Sequence, residues 1–144
     1  MLVAQGGRFG GWSLYCLDGV LTYAYNRYGR DRAVVRGTVV EPGEHDLAVR
    51  FSYHGGPPGD GADLALLVDG ETVGEAALAA STAYYFSFDE TFNVGRDRGT
   101  PVVDEYPAVH NAFNGEIDHV DIDLAPQTPL DPKAGRLVTR LTHD

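Results

Sequence analysis

Acidic side chains come closest to forming a chemical site in this sequence. Five of them crowd one stretch that is rich in turn residues, namely Asp89, Glu90, Asp97, Asp104 and Glu105. Carboxylate oxygens are the ligands that a hard cation such as calcium takes, but this spacing does not match an EF-hand loop. A formal net charge of −10 also makes some clustering of acids unsurprising. We therefore expect no cofactor and no metal, with calcium in this stretch as the alternative.

The cysteine and the histidines offer little nucleophilic or metal-binding chemistry. Cys16 is the single cysteine, which rules out an intramolecular disulfide. It alternates with Trp12 and Leu14, so we expect it to be a small apolar side chain within a strand. The histidines show no His-x-His or His-Glu-x-x-His spacing that would bring two imidazoles to one metal. They lie at positions 45, 54, 110, 119 and 143.

Paired carboxylates do not predict a hydrolase here. Glycoside hydrolysis needs two carboxyl groups facing each other across a cleft at about 5 to 10 Å. Asp121 and Asp123 share one strand face in the predicted pattern, where we expect both to face solvent. Glycine-rich phosphate loops are also missing from the sequence. We expect no catalytic residue, and no enzyme activity from this chain by itself.

Aromatic side chains are the remaining candidates, because their rings can stack on a sugar. Strands with one half-buried face also favour Tyr and Phe, so most of these rings are better explained as core. The candidates are Trp12, Tyr23, Tyr25, Tyr28, Tyr84, Tyr85 and Tyr106.

Two hairpins are predicted to position these residues. In each one, alternating apolar residues run up to an Asp-Gly pair and resume after it, which is a strong hairpin signal. The first surrounds Asp18-Gly19 and places Leu21, Tyr23 and Tyr25 on one face of residues 20–28. The second surrounds Asp69-Gly70, between a strand ending at Val68 and a strand over residues 73–78.

Further strands are predicted from alternation and from the turn residues between them. They cover residues 33–35, 47–52 and 113–124, the last with a bulge near Asp118-His119. In the stretch from Tyr84 to Val94 a strand is predicted that ends in a loop near Asp89-Glu90. Residues 26–32 read as a polar turn, residues 55–61 as an exposed glycine and proline loop, and residues 95–111 as a loop.

These patterns predict an all-β fold with little or no helix. Nine or so short strands separated by turns favour a two-sheet antiparallel sandwich, either a jelly roll or concanavalin-like. We expect one sandwich domain over residues 1–125 and a linker or tail over residues 126–144, which hold three prolines within seven residues.

Charge and hydropathy exclude two classes of partner. A net charge of −10 repels a nucleic-acid backbone or an anionic membrane at long range. Apolar stretches long enough to span a bilayer are missing, and the first residues do not have the pattern of a signal peptide. For the chain as given we expect a soluble protein and slightly favour the cytoplasm.

Several segments resemble, in order and spacing, the C-terminal domain of large bacterial arylsulfatases. The two most specific are Gly11-Trp12-Ser13-Leu14-Tyr15 with the glycines before it, and the run from Val94 to Val102, which reads Val-Gly-Arg-Asp-Arg-Gly-Thr-Pro-Val. The others are Tyr23-Ala24-Tyr25-Asn26, Phe51-Ser52-Tyr53, Leu67-Val68-Asp69-Gly70, Asp89-Glu90-Thr91 and Phe113-Asn114-Gly115-Glu116-Ile117. The resemblance covers about residues 2–125.

The resemblance implies an accessory role rather than catalysis. In such enzymes a preceding domain carries a formylglycine made within a Cys/Ser-x-Pro/Ala-x-Arg motif, and this sequence lacks that motif. We expect a sandwich that packs on a sulfatase catalytic domain in cis or in trans, with Tyr106, Arg96 and Arg98 as candidate interface anchors. The alternative is a free-standing carbohydrate-binding or lectin-like module.

Overall fold

The computed structural model describes residues 1–83, 86 and 90–124, and within these ranges the chain forms strands and no helix. The strands are β1 (Val3–Gly7), β2 (Gly10–Leu17), β3 (Val20–Arg27), β4 (Asp31–Val39), β5 (Leu47–Tyr53), β6 (Ala62–Val68), β7 (Glu71–Leu78) and β8 (Phe92–Val94). All their pairings are antiparallel, in one sheet of order β4-β3-β2-β1-β8 and one of order β5-β6-β7. The predicted two-sheet antiparallel sandwich is confirmed.

Both predicted Asp-Gly hairpins form. Asp18 and Gly19 join β2 to β3 with φ of 51° and 78°, and Asp69 and Gly70 join β6 to β7 with φ of 52° and 83°. Positive φ at both central residues gives the turn a twist that matches the right-handed twist of the strands. Asp tolerates this conformation and Gly adopts it freely, so the residue types at these positions determine the turn.

The main core lies between the two sheets. Alternate residues of β3, namely Leu21, Tyr23 and Tyr25, face Leu64 and Leu66 of β6. The sheets approach each other most closely where β4 passes β7. A Cβ on Gly74 would lie 2.8 Å from the Arg36 carbonyl oxygen, so this approach requires a glycine.

A second apolar layer covers the other face of the five-stranded sheet. Tyr15 on β2 and Ala24 on β3 are fully buried there against Val102, Val103 and Tyr106. The rings of Tyr15 and Tyr106 pack edge to face with centroids 5.0 Å apart. Residues 95–111 are irregular, as predicted, but they form a packed layer rather than a free surface loop.

Two predictions about the elements need correction, and one strand was not predicted. Residues 113–124 form no strand, and what remains of the pattern is that Phe113, Ile117 and Val120 pack against the main core. The predicted turn over residues 26–32 is shorter, because β3 extends to Arg27 and β4 begins at Asp31. Strand β1 was not predicted at all, since Val-Ala-Gln-Gly-Gly carries no alternation. Of the strand predicted from Tyr84 to a loop near Asp89-Glu90, the described residue is Phe86, which lies in a bend, and β8 begins after that loop position.

Tyr84, Tyr85, Asp89, His143 and the predicted tail over residues 126–144 lie outside the described residues.

Candidate functional site

The predicted acidic stretch is spread over several structural contacts. Glu90 accepts hydrogen bonds from the Thr100 backbone N–H at 3.0 Å and from its hydroxyl at 2.8 Å. Asp104 forms a salt bridge of 3.0 Å with Arg32 on β4. Within the described residues, no three His, Cys, Asp or Glu side chains converge as metal ligands would.

Asp97 is the buried member of this stretch. The Tyr106 hydroxyl donates to its Oδ2 at 3.0 Å, and the Gly99 N–H donates to its Oδ1 at 3.3 Å. Its backbone also bonds twice with the amide side chain of Asn111, at 2.9 Å and 3.1 Å. Burial raises the pKa of Asp97 above its ordinary value. This carboxyl group fixes the conformation of the 95–111 segment from the inside.

Glu105 fastens the same segment to the sheet. Its Oε2 accepts a hydrogen bond of 2.7 Å from the Tyr15 hydroxyl, and its Oε1 pairs with Arg36 of β4. Burial, reinforced by this carboxylate, raises the pKa of Tyr15 well above its ordinary value. The acids of this stretch therefore hold the 95–111 segment against the five-stranded sheet as a covering layer. Because each acid bonds a different partner, their carboxyl groups do not converge on one point.

Tyr106 is not the exposed anchor that the sequence suggested. Its ring is buried against Tyr15, and its hydroxyl bonds Ser13 and Asp97. Arg96 and Arg98 of the same segment are exposed, as an interface role requires. Among the described sugar-stacking candidates, Tyr23 and Tyr25 are buried, Trp12 is half-buried and stacks on Tyr23, and Tyr28 is exposed.

Cys16 is half-buried against the main core, and burial raises the pKa of its thiol. A raised thiol pKa lowers the thiolate fraction, so this is the environment of a structural cysteine rather than a nucleophile.

The described histidines lie apart from one another, mostly beside single carboxylates. Nδ1 of His45 lies 2.7 Å from Asp69 Oδ2, which raises the pKa of His45. Nε2 of His54 lies 3.2 Å from Asp63. His119 lies between Asp118 and Asp121, which raise its pKa. These arrangements are histidines beside carboxylates at or near the surface, and they contain no second imidazole.

The most distinctive exposed surface lies at one end of the sandwich, where two strand turns meet. We call Arg8, Phe9, Tyr28 and Arg30 the turn-end patch. Arg8 and Phe9 form the turn between β1 and β2, whereas Tyr28 and Arg30 lie in the turn between β3 and β4. The Phe9 side chain is 70% exposed and Tyr28 is 45% exposed, although large rings of this kind are normally covered.

A buried asparagine holds the two turns side by side. Nδ2 of Asn26 donates to the carbonyl oxygens of Arg8 and Val102, both at 2.9 Å. Its Oδ1 accepts the Gly29 N–H at 2.8 Å. Asn26 is fully buried, so one side chain determines the positions of both turns and of the covering layer. The backbone beneath the turn-end patch is therefore held in place by the hydrogen bonds of Asn26.

Neighbouring groups add polar chemistry beside the patch. Arg27 and Asp31 form an ion pair, and they line a shallow depression together with Tyr28 and Arg30. The Tyr28 hydroxyl accepts the Ala83 N–H at 3.1 Å, which orients its ring. Within the described residues Arg8 and Arg30 have no salt bridge, and basic side chains outnumber acidic ones at this end, although the Glu90 carboxylate borders the patch through Thr100.

Sequence reasoning missed this patch, although a signal for it existed. Phe9 lies between two glycine pairs, Gly6-Gly7 and Gly10-Gly11. An aromatic residue in such a turn belongs to no alternating strand face, so the pattern gives it no core position to occupy.

Comparisons with known proteins assign no family: no family model matches the chain, and neither a curated protein nor a solved structure matches it. No helix of the described residues is long and apolar enough to cross a membrane.

Proposed function

We propose that the chain is a non-catalytic accessory sandwich that packs on a sulfatase catalytic domain, in cis or in trans, through the turn-end patch. The observation that carries this proposal is the exposure of Phe9 and Tyr28 between two arginines on a fixed backbone. Aromatic and Arg side chains are enriched at protein interfaces, where a few of them contribute most of the binding energy. A patch of this composition suits a protein surface.

The segments that resemble arylsulfatases support the same role. The two most specific segments are Gly-Gly-Trp-Ser-Leu-Tyr at residues 10–15 and the run from Val94 to Val102, and the turn that leads into the first segment contacts the second beneath the patch. The Arg8 N–H donates to the Thr100 hydroxyl at 2.9 Å, and Val102 is fully buried and bonded to Asn26. The residues that carry the resemblance are thus the ones that position Phe9.

The described side chains that could act in catalysis are held by contacts within the fold. Asp97, Glu90 and Glu105 are each held by hydrogen bonds within the covering layer or to the sheet, and Cys16 has a raised pKa. These contacts support a domain that binds rather than reacts.

Binding in trans tests the proposal. The partner is a sulfatase catalytic domain that carries Cys/Ser-x-Pro/Ala-x-Arg and is encoded in the same or an adjoining reading frame. We expect calorimetry to detect association, and Phe9→Ala to weaken it by about tenfold or more, as for an aromatic anchor. The matched control is Val39→Ala, because Val39 is 59% exposed at the far end of β4.

Two results would contradict the accessory role. One is that the parent chain does not associate, and the other is that Phe9→Ala and Val39→Ala bind alike. Hydrolysis of sulfate esters by the chain alone would contradict its non-catalytic character.

A carbohydrate-binding module is the second candidate. Exposed rings next to the Arg27 and Asp31 pair provide both stacking and hydrogen-bonding groups, which is the combination that holds sugars. A glycan titration with and without calcium, on the parent and on Tyr28→Ala, separates this role from the first. Tyr53→Ala is the control, since Tyr53 is 41% exposed on β5. Binding of a glycan that is lost only in Tyr28→Ala would favour the module.

A further inference from the structure

Strand β5 has a free edge within the described part of the chain. It lies at the end of the sheet order β5-β6-β7 and pairs with β6 alone. The bonds at its two ends, from Asp69 N–H to Asp46 O and from His54 N–H to Gly61 O, determine which residues face β6. Antiparallel pairing alternates, so Ala48, Arg50 and Ser52 bond β6. The N–H and C=O groups of residues 49, 51 and 53 therefore point away from β6.

The apolar surface beside this free edge is only partly covered. Strand β7 lies against β4, and β6 against β4 and β3, while Phe51 on β5 reaches Tyr25 of β3 with ring centroids 5.8 Å apart. Strands lie about 4.8 Å apart within a sheet, so the three strands of the smaller sheet can cover only about three of the five strands of the larger sheet. The inner face near β1 and β8 has no described strand opposite it. Phe51 and Tyr53 are themselves 39% and 41% exposed.

In the described part of the chain, residues 116–124 are an unpaired segment that packs in part on the main core. They follow Phe113, whose N–H bonds Gly95 just after β8, and their Ile117 and Val120 already pack against the main core. Val120, Ile122 and Leu124 alternate with acidic residues, yet Ile122 and Leu124 are 57% and 76% exposed. Within the described residues this segment makes no backbone hydrogen bond.

We propose that the free edge of β5 is a strand-binding surface and that residues 116–124 of the same chain bind it as a fourth strand of the smaller sheet. A bulge at Asp118-His119 keeps Ile117 on the core, and alternation after it directs Val120, Ile122 and Leu124 toward the main core and Asp121 and Asp123 toward solvent. The outer face of β5 presents Arg50, which is exposed and opposite in charge to both aspartates. Pairing satisfies the outward backbone groups of β5 and covers Ile122 and Leu124 together.

Amide hydrogen exchange of the full chain, read by NMR, tests this pairing. We expect the amides of Val49, Phe51 and Tyr53 to exchange at least about tenfold more slowly than unprotected amides, because they would donate to the new strand. Asp121→Pro and Ile122→Pro each remove one backbone N–H of the segment. Because only alternate N–H groups face β5, one of the two variants removes a hydrogen bond to β5 and should abolish this protection. The matched controls Asp121→Ala and Ile122→Ala keep the N–H and should keep the protection.

Cross-strand nuclear Overhauser effects provide a readout that needs no variant. Paired residues lie about 4.5 to 5.5 Å apart, so residues 49–53 should show contacts with residues 117–123 in the parent chain. The amides of Ala48 and Arg50 bond β6 and should stay protected in every variant that remains folded.

Four results would overturn the pairing. The first is rapid exchange of the three outward amides in the parent, and the second is the absence of those cross-strand contacts. The third is protection that persists in both proline variants, which would mean that another segment occupies the edge. The fourth is protection that grows with protein concentration, which would identify a second copy of the chain as the occupant.

Discussion

At the scale of single residues, substitution of Asp97 tests whether the acidic stretch has a structural role. Asp97 is almost fully buried and holds the 95–111 segment through Tyr106 and Gly99. We expect Asp97→Ala to lower the free energy of unfolding by about 1–3 kcal/mol, the cost of leaving buried partners unsatisfied. Asp97→Asn should be at least as stable as the parent at pH 7, because an amide preserves the shape without a buried charge. Urea unfolding of the three proteins measures both effects.

The pH dependence of that comparison has a definite sign. Burial raises the pKa of Asp97 in the folded state, so the folded chain binds the proton more readily than the unfolded chain. Lowering the pH through the raised pKa therefore removes the cost of the buried charge. Any stability advantage of Asp97→Asn over the parent should shrink as the pH falls from 7 toward 4. An Asn variant as unstable as the Ala variant at pH 7 would instead mean that the negative charge is needed, as it is for a bound cation.

At the scale of elements, short-range sequence signals predicted the strands that they directly encode. The two Asp-Gly turns, the alternating face of Leu21, Tyr23 and Tyr25, and the end of β6 at Val68 were all visible, because each depends on residues a few positions apart. These features are governed by turn conformation and by the two-residue period of a strand.

The missed features depend on contacts distant in sequence. Strand β1 forms between β2 and β8, and Val102 is buried by packing on Ala24 and Tyr15, none of which leaves a periodic trace. The alternation over residues 113–124 reports an apolar face but not a pairing partner, so it predicted a strand that the described structure lacks. The same limit applies to the site. Tyr106 was expected at the surface because the irregular 95–111 segment, within which it is buried, shows no periodic pattern in the sequence.

The close approach of β4 and β7 makes a prediction at this scale. A Cβ on Gly74 would lie 2.8 Å from the Arg36 carbonyl oxygen and 3.1 Å from Val35 Cγ1, and backbone atoms yield little. We expect Gly74→Ala to lower the free energy of unfolding by about 1–3 kcal/mol, as overpacking does. Glu75→Ala is the control, since Glu75 is the exposed neighbour on the same strand and should change stability by less than about 0.5 kcal/mol. Equal effects of the two substitutions in thermal unfolding would show that the sheets can separate there without cost.

At the scale of the whole molecule, charge is distributed unevenly. The chain carries 21 acidic and 11 basic side chains, yet among the described residues the turn-end patch and its border present Arg8, Arg27 and Arg30 beside two acids, Asp31 and Glu90. The region of residues 116–124 is by contrast acidic, with Asp118, Asp121 and Asp123 exposed. An approaching partner therefore meets a molecule with a positive end, and this asymmetry favours docking in one orientation.

That asymmetry predicts how association with the proposed sulfatase partner responds to salt. The Debye length falls from about 10 Å at 0.1 M to about 3 Å at 1 M salt, so charge steering should fade over this range. We expect the association rate constant, measured by stopped-flow mixing, to fall as salt rises while the dissociation rate constant changes little. Arg8→Ala and Arg30→Ala should each reduce the dependence on salt.

Arg50→Ala makes the same change of charge on β5, in the other sheet, and separates local steering from the effect of net charge. If the patch steers docking, this control should leave the salt dependence close to that of the parent, because a screened field acts over about one Debye length. If all three arginine variants shift the salt dependence equally, total charge rather than the patch governs the encounter. Phe9 would then remain a candidate anchor, since an apolar contact acts after the encounter and mainly on dissociation.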